Sequence, residues 1–253
     1  GRFQPYFRGP DPRHVQQRNI WHLYQDLLWL GLATAAANYI NVYAIRLGAS
    51  DALIGLRTAV PSLLMVLLRI PAARLTERTA DRKSLIVRSL FAGRLVYMLI
   101  FLLPWLTLLP VLRQIPPATL FVVLVMLMGV PQVLSSAGWD SFFADVVAER
   151  RRARVVSMRN TFSSLISLTM VPLMGSFLEW VPFPLNYQIV FLLAFLGAMV
   201  SLWHVQAIRA DPVPPARTKH PPLNLREARA ILRDSPEFGW LVLATFVYQW
   251  AIS

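Results

Sequence analysis

The chain has 253 residues, 56% of them hydrophobic and only 15% charged, well below the quarter charged of a soluble domain, which excludes an ordinary globular protein. Lys and Arg number 25 against 13 Asp and Glu, a formal net charge of +12. In so apolar a chain that excess reads as basic loops beside anionic lipid rather than a nucleic-acid surface, and the absence of Cys excludes disulfides and thiolate metal sites.

Residues 1–26 form a leader carrying Arg2, Arg8, Arg13 and Arg18, in which Ile20, Trp21, Leu23 and Tyr24 suggest a surface helix. Six apolar runs follow, at 27–45, 52–72, 85–106, 118–143, 162–178 and 190–208. A helix of about 20 apolar residues crosses about 30 Å of hydrocarbon, whereas a buried globular helix is usually shorter and keeps a polar stripe. Ala35-Ala36-Ala37 resembles a signal cleavage site, but the preceding leader is long and another span follows almost at once. Residues 209–236 read as a linker: five prolines in 211–222, then a short basic amphipathic helix at 223–234 with Asn224 and Glu227 at capping-box spacing. A seventh apolar run starts within 237–253 and is cut by the last residue. With Gly rather than Met at position 1, the expectation is a fragment. The fold class is an all-α membrane protein, a six-helix transmembrane bundle over 27–208 with the start of a seventh helix.

The charges alternate with the connections. The leader, the second-to-third link (Arg74, Arg78, Arg82, Lys83), the fourth-to-fifth link (Arg150, Arg151, Arg152, Arg154, Arg159) and the linker after the sixth span are basic, while the opposite side carries only Arg46 and Arg113. Retention of basic loops in the cytoplasm predicts a cytoplasmic N-terminus in a cell membrane. This alternation supports the segmentation, since a wrong span count would scramble it.

Polar residues inside the runs are the candidates for chemistry, because an Arg near a span's centre costs about 2.5–3.5 kcal/mol on the insertion scale. Arg94 needs a partner, and Asp140 is the nearest acidic candidate in the spans. Arg57 either reaches the near surface or faces a water-filled cavity. Asn38 and Asn41 share a helix face, and Gln132 follows Pro131 in the fourth run. Such amides bond across helices or line polar cavities. His204 reads as interfacial. Pro61, Pro131 and Pro172 lie inside spans and kink helices. No HExxH, Gly-rich phosphate loop or GxSxG occurs, and no paired carboxylates sit at mid-depth. Neither an enzyme nor any cofactor or metal is expected.

Six spans, a long basic linker and a seventh span resemble the amino-terminal half of a twelve-helix major facilitator superfamily transporter. The second-to-third loop, Ala73 to Lys83, is similar to that family's motif of Gly, three residues, an acid, a basic residue, any residue, Gly and basic residues. Here Ala73 and Ala80 stand for the glycines, Glu77 for Asp, Arg78 matches, Asp81 stands where a base is usual, and Arg82 and Lys83 supply the charge. The fourth-to-fifth loop, Asp145 to Arg154, with Arg159-Asn160 opening the next helix, resembles the family too. The basic residue of proton-coupled antiporters has no counterpart in 120–138, and the fifth-span antiporter pattern survives only as Pro172 and Gly175.

The resemblance implies transport of a small solute by alternating access. It places the first, second, fourth and fifth helices around the cavity, so Asn38, Asn41, Arg57 and Gln132 are the expected solute-binding residues. It places Arg94 and His204 on outward-facing helices. It makes Glu77, Arg78, Asp81, Arg82 and Lys83 a gating loop. The implied partners are the lipid bilayer, a small-molecule solute and a missing C-terminal half of the same chain, with no nucleic acid. The alternatives are a non-transporting six-span scaffold and an intramembrane enzyme acting on lipid, for which no catalytic set is visible.

Overall fold

In the computed structural model the described residues are 15–79, 81–210, Trp240 and Ala244, without the side chains of Ile70, Glu77 and Arg78. Residues 1–14, the amphipathic segment of the linker and the seventh span as a whole lie outside them. The chain divides into two compact units, Gly1–Pro215 and Ala216–Ser253, and everything below concerns the first.

Among the described residues the regular structure is all helical. The first span is α1 (Val15–Ala37) followed by α2 (Ile40–Arg46), and the second is α3 (Asp51–Arg78). The third is α4 (Arg82–Phe101) with the short turn α5 (Leu103–Leu106), and the fourth is α6 (Pro117–Leu127) with α7 (Gly129–Val146). The fifth is α8 (Glu149–Trp180) and the sixth α9 (Leu185–Ala207). All six are long and apolar enough to cross a bilayer. The surface helix expected in the leader is continuous with the first span, because α1 starts at Val15 and runs unbroken past residue 27.

Local chemistry explains the ends and breaks. Gly48 sits at φ 89°, a left-handed turn that other residues resist, and the next helix is capped by Ser50, whose hydroxyl oxygen accepts from Leu53 N at 3.4 Å. Asp81 caps α4 by accepting from Ser84 N at 2.9 Å. The fourth span breaks at Met128, just where the ring of Pro131 would crowd the carbonyl four residues back. The first span breaks at Asn38, whose amide donates to Thr34 O at 2.9 Å and so competes for the helix's own acceptor. Pro61 and Pro172 are accommodated within continuous helices.

The main packing partners are first with fifth and sixth, third with fourth and sixth, and second with fourth. Exchanging the first span for the fourth, the second for the fifth and the third for the sixth leaves this set of pairs unchanged. Since the first and fourth spans run in opposite directions, the bundle is an inverted repeat of three helices plus three. Close approach is made at small residues, as membrane packing requires. A Cβ on Gly197 would lie 2.7 Å from Trp29 O, one on Gly175 2.7 Å from the Tyr39 hydroxyl oxygen, and one on Gly31 would overlap Ile166 Cγ2.

Two apolar clusters hold the bundle. One, toward the Arg-poor end, centres on Tyr43, Phe121, Tyr187 and Phe191, with the two tyrosine rings stacked at 4.4 Å. The other, toward the Arg-rich end, gathers Leu23, Tyr24, Ile86, Phe142, Val155 and Ile208. Between them, on the first, third, fourth and sixth spans, buried polar residues intervene: Asp26, Ser89, Arg94, Ser135 and Ser201. Meanwhile Val66, Leu168 and Leu173 are more than half exposed. This reversal of a soluble protein's pattern belongs to a molecule whose solvent is lipid.

Candidate functional site

Between the two apolar clusters lies a cavity of about 620 Å³, within the range of small-molecule sites. The first span contributes Asp26, Leu30 and Thr34. The third adds Ser89, Arg94 and Tyr97, the fourth adds Met128, Gln132, Ser135, Ser136 and Trp139, and the fifth adds Arg159. Thr34, Gln132 and Ser136 are exposed while Asp26, Arg94 and Ser135 are buried, so the cavity has an open rim and a charged floor.

Asp26 organises that floor. Its Oδ1 accepts the Ser201 hydroxyl and lies 3.9 Å from Arg94 Nη2. Its Oδ2 lies 3.4 Å from Arg159 Nη2. Arg94 also donates to Ala198 O at 2.6 Å and to Ser201 Oγ at 2.9 Å, which satisfies a guanidinium that burial would otherwise penalise heavily. Arg159 donates to the carbonyl of Leu23 and its guanidinium stands 5.5 Å from the Trp139 ring centre, a cation–π distance. One turn away from Asp26 on α1 and Ser201 on α9, His22 Nδ1 meets His204 Nδ1 at 3.0 Å, flanked by Trp21 and Trp203.

Three expectations need correction. The carboxylate that serves Arg94 is Asp26 rather than Asp140. On α7 the residues facing the cavity are Gln132, Ser135, Ser136 and Trp139, and Asp140, one position on, is exposed. Arg94 also lines the cavity instead of facing outward. His204 is buried between helices.

Of the amides and Arg singled out from the sequence, Gln132 lines the cavity. Asn38 and Asn41 are exposed further along the first span, on the face that carries Thr34. Arg57 lies on the second span apart from the cavity, with its Nη2 3.4 Å from Thr58 Oγ1 and its Nε buried without a hydrogen-bond partner.

The basic loop residues largely close helix ends. Lys83 Nζ donates to Gln206 O and Ile208 O, each at 2.6 Å, at the carboxyl end of α9. Arg152 does the same for α7, donating to Val147 O at 3.1 Å and Ala144 O at 2.8 Å. Cations there complement both the free carbonyls and the helix dipole. Asp81 is a cap, Arg82 reaches Asp145 at 3.7 Å, and the side chains of Glu77 and Arg78 fall outside the described residues.

Asp26 and Arg159 are the residues of this candidate site that the sequence reading did not single out. The signal was present. Asn19, His22 and Asp26 follow one another at three and four residues, all buried, a polar stripe along the inner face of α1.

Comparison with known proteins agrees with this architecture. The family model described as Major Facilitator Superfamily matches residues 27–253. No curated protein and no solved structure matches the chain. Six membrane-spanning helices in an inverted repeat, with a family match over most of the length, establish that this chain belongs to the Major Facilitator Superfamily and is an integral, multi-pass membrane protein.

Proposed function

We propose that the protein is a secondary transporter that moves a small solute by alternating access, a carrier and not an enzyme, with its N-terminus in the cytoplasm and its bundle in the cell membrane. The family carries the coarse part of this reading: membrane transport of some solute. The observation that carries the rest is the cavity of about 620 Å³, floored by charge and open at a polar rim, inside an otherwise apolar bundle. Asn38, Asn41, Gln132 and Ser136 are exposed within the spans. Asn38 and Ser136 bond carbonyls of their own helices, but lipid would leave the amides of Asn41 and Gln132 unpaired at a cost of several kcal/mol each. A water-filled pathway facing a second six-helix half satisfies them. Gln132 and the residues beside it are then part of the solute path, and the Arg82–Asp145 contact is one of the ties that rearrange as the basic side opens and closes.

The test is solute uptake by sealed vesicles containing the full protein, with labelled carboxylates, sugars, amino acids and amines offered in turn. At least one solute is expected to enter faster than into vesicles carrying an equal amount of folded Gln132→Leu protein. Identical rates across the whole panel would contradict the proposal.

A further inference from the structure

Two guanidiniums share one carboxylate in this cavity. Arg94 and Arg159 both address Asp26, and among the residues that line it there is no second acid. The cluster therefore holds one positive charge in excess, in surroundings where an unbalanced ion is expensive.

The two arginines are not equivalent. Arg94 is held by the short bonds to Ala198 O and Ser201 Oγ, and its side chain is 6% exposed. Arg159 donates through Nη1 to the Leu23 carbonyl and stands 3.5 Å from Asp26 at Nη1 and 3.4 Å at Nη2, longer than the about 2.7–2.9 Å of a well-formed pair, so its Nη2 has no short bond. It is 15% exposed and lies against Trp139 at the cavity wall. It is the cation that a ligand can engage. The rest of the lining is mostly apolar, with Leu30, Met128 and Trp139 available to a hydrocarbon or aromatic body, and Gln132 and Ser136 as neutral polar groups.

We propose that the cavity binds a small amphipathic organic monoanion. Its anionic group pairs with the Arg159 guanidinium in competition with Asp26, and its apolar body lies along Trp139. A single excess charge selects a monoanion, since a dianion would leave net negative charge in the same place. As a statement of what is carried, the inference rests on the transport reading; as a statement of binding, it can be tested without transport.

The probe is benzoate, with benzamide as its neutral counterpart, titrated calorimetrically into the purified full protein in a non-ionic detergent. Benzoate is expected to bind saturably and benzamide at least about tenfold more weakly. Arg159→Gln is expected to weaken benzoate at least about tenfold, and Asp26→Asn, which removes the competing carboxylate, to tighten it about tenfold. A gain in affinity cannot come from misfolding, so the second variant decides the matter even where the first is unstable. Equal binding of benzoate and benzamide, no binding of either, or unchanged benzoate affinity in Asp26→Asn would overturn the proposal. So would displacement of benzoate by phosphatidylglycerol, which would assign the site to a lipid headgroup. Vesicle flux separates the two readings. Benzoate binding without flux of any solute refutes transport and leaves the anion site standing; flux of a neutral solute without benzoate binding does the reverse.

Discussion

The carboxylate of Asp26 and the guanidinium of Arg94 meet at 3.9 Å inside the bundle, each almost wholly buried, and the Ser201 hydroxyl bridges them. This joins three helices, the first, third and sixth, at one point. Removing one member of a buried pair leaves the other ion uncompensated. Asp26→Ala is therefore expected to cost about 3–5 kcal/mol of stability, read as equilibrium unfolding in mixed micelles. Asp26→Ala with Arg94→Met should recover part of that loss. A double variant no more stable than the single one would show that the pair is not the cause.

Close packing of the first and fifth spans depends on Gly31, whose missing Cβ makes room for Ile166 Cγ2. Gly31→Ala is expected to destabilise by about 1–3 kcal/mol through overpacking. In an Ile166→Ala background the same change should cost far less, because the obstructing atom is gone. Additive losses in the double-mutant cycle would contradict this contact. As a control, Gly93→Ala should be nearly neutral, since its Cβ would find Pro131 at an ordinary 3.6 Å.

Lys83 was expected from the loop motif to gate, and in the structure it closes the end of α9. Lys83→Met is expected to lower stability by about 1–2 kcal/mol while leaving the solute's half-saturation concentration unchanged. A change in that concentration with stability intact would return Lys83 to a gating role.

Much of the architecture was legible because span length is set by the bilayer and not by the details of packing. Arg113 and Arg152 fall at opposite ends of the bundle by residue count alone. The interior was harder. Asp26 stands one residue before the first apolar run, so a reading by hydropathy placed it in the leader. Arg159 was counted with a basic loop, although α8 begins at Glu149 and carries it ten residues into the helix. Charged residues extend a membrane helix beyond its apolar stretch without leaving a composition signal; only their helical spacing shows which face they take. Asp140 failed as Arg94's partner for the same reason, since proximity in depth says nothing about rotation about the helix axis.

Among the sequence candidates, Gln132 and Arg57 now separate. Gln132→Leu is expected to raise the half-saturation concentration for solute at least about threefold, the loss of one ordinary hydrogen bond. Arg57→Ala, on a helix apart from the cavity, should leave it within about twofold when rates are scaled to surface expression. The reverse order of effects would move the solute path to the second span.

Because residues 1–253 contain no Cys, Gln132→Cys in a full protein with any other Cys replaced by Ser gives a clean reporter of alternating access. Sealed vesicles of known and opposite orientation would be treated with a membrane-impermeant maleimide. Labelling of residue 132 is expected from both sides, and a bound solute should slow it on each. Labelling from one side only, or from neither, would mean that this cavity does not open alternately to the two aqueous compartments.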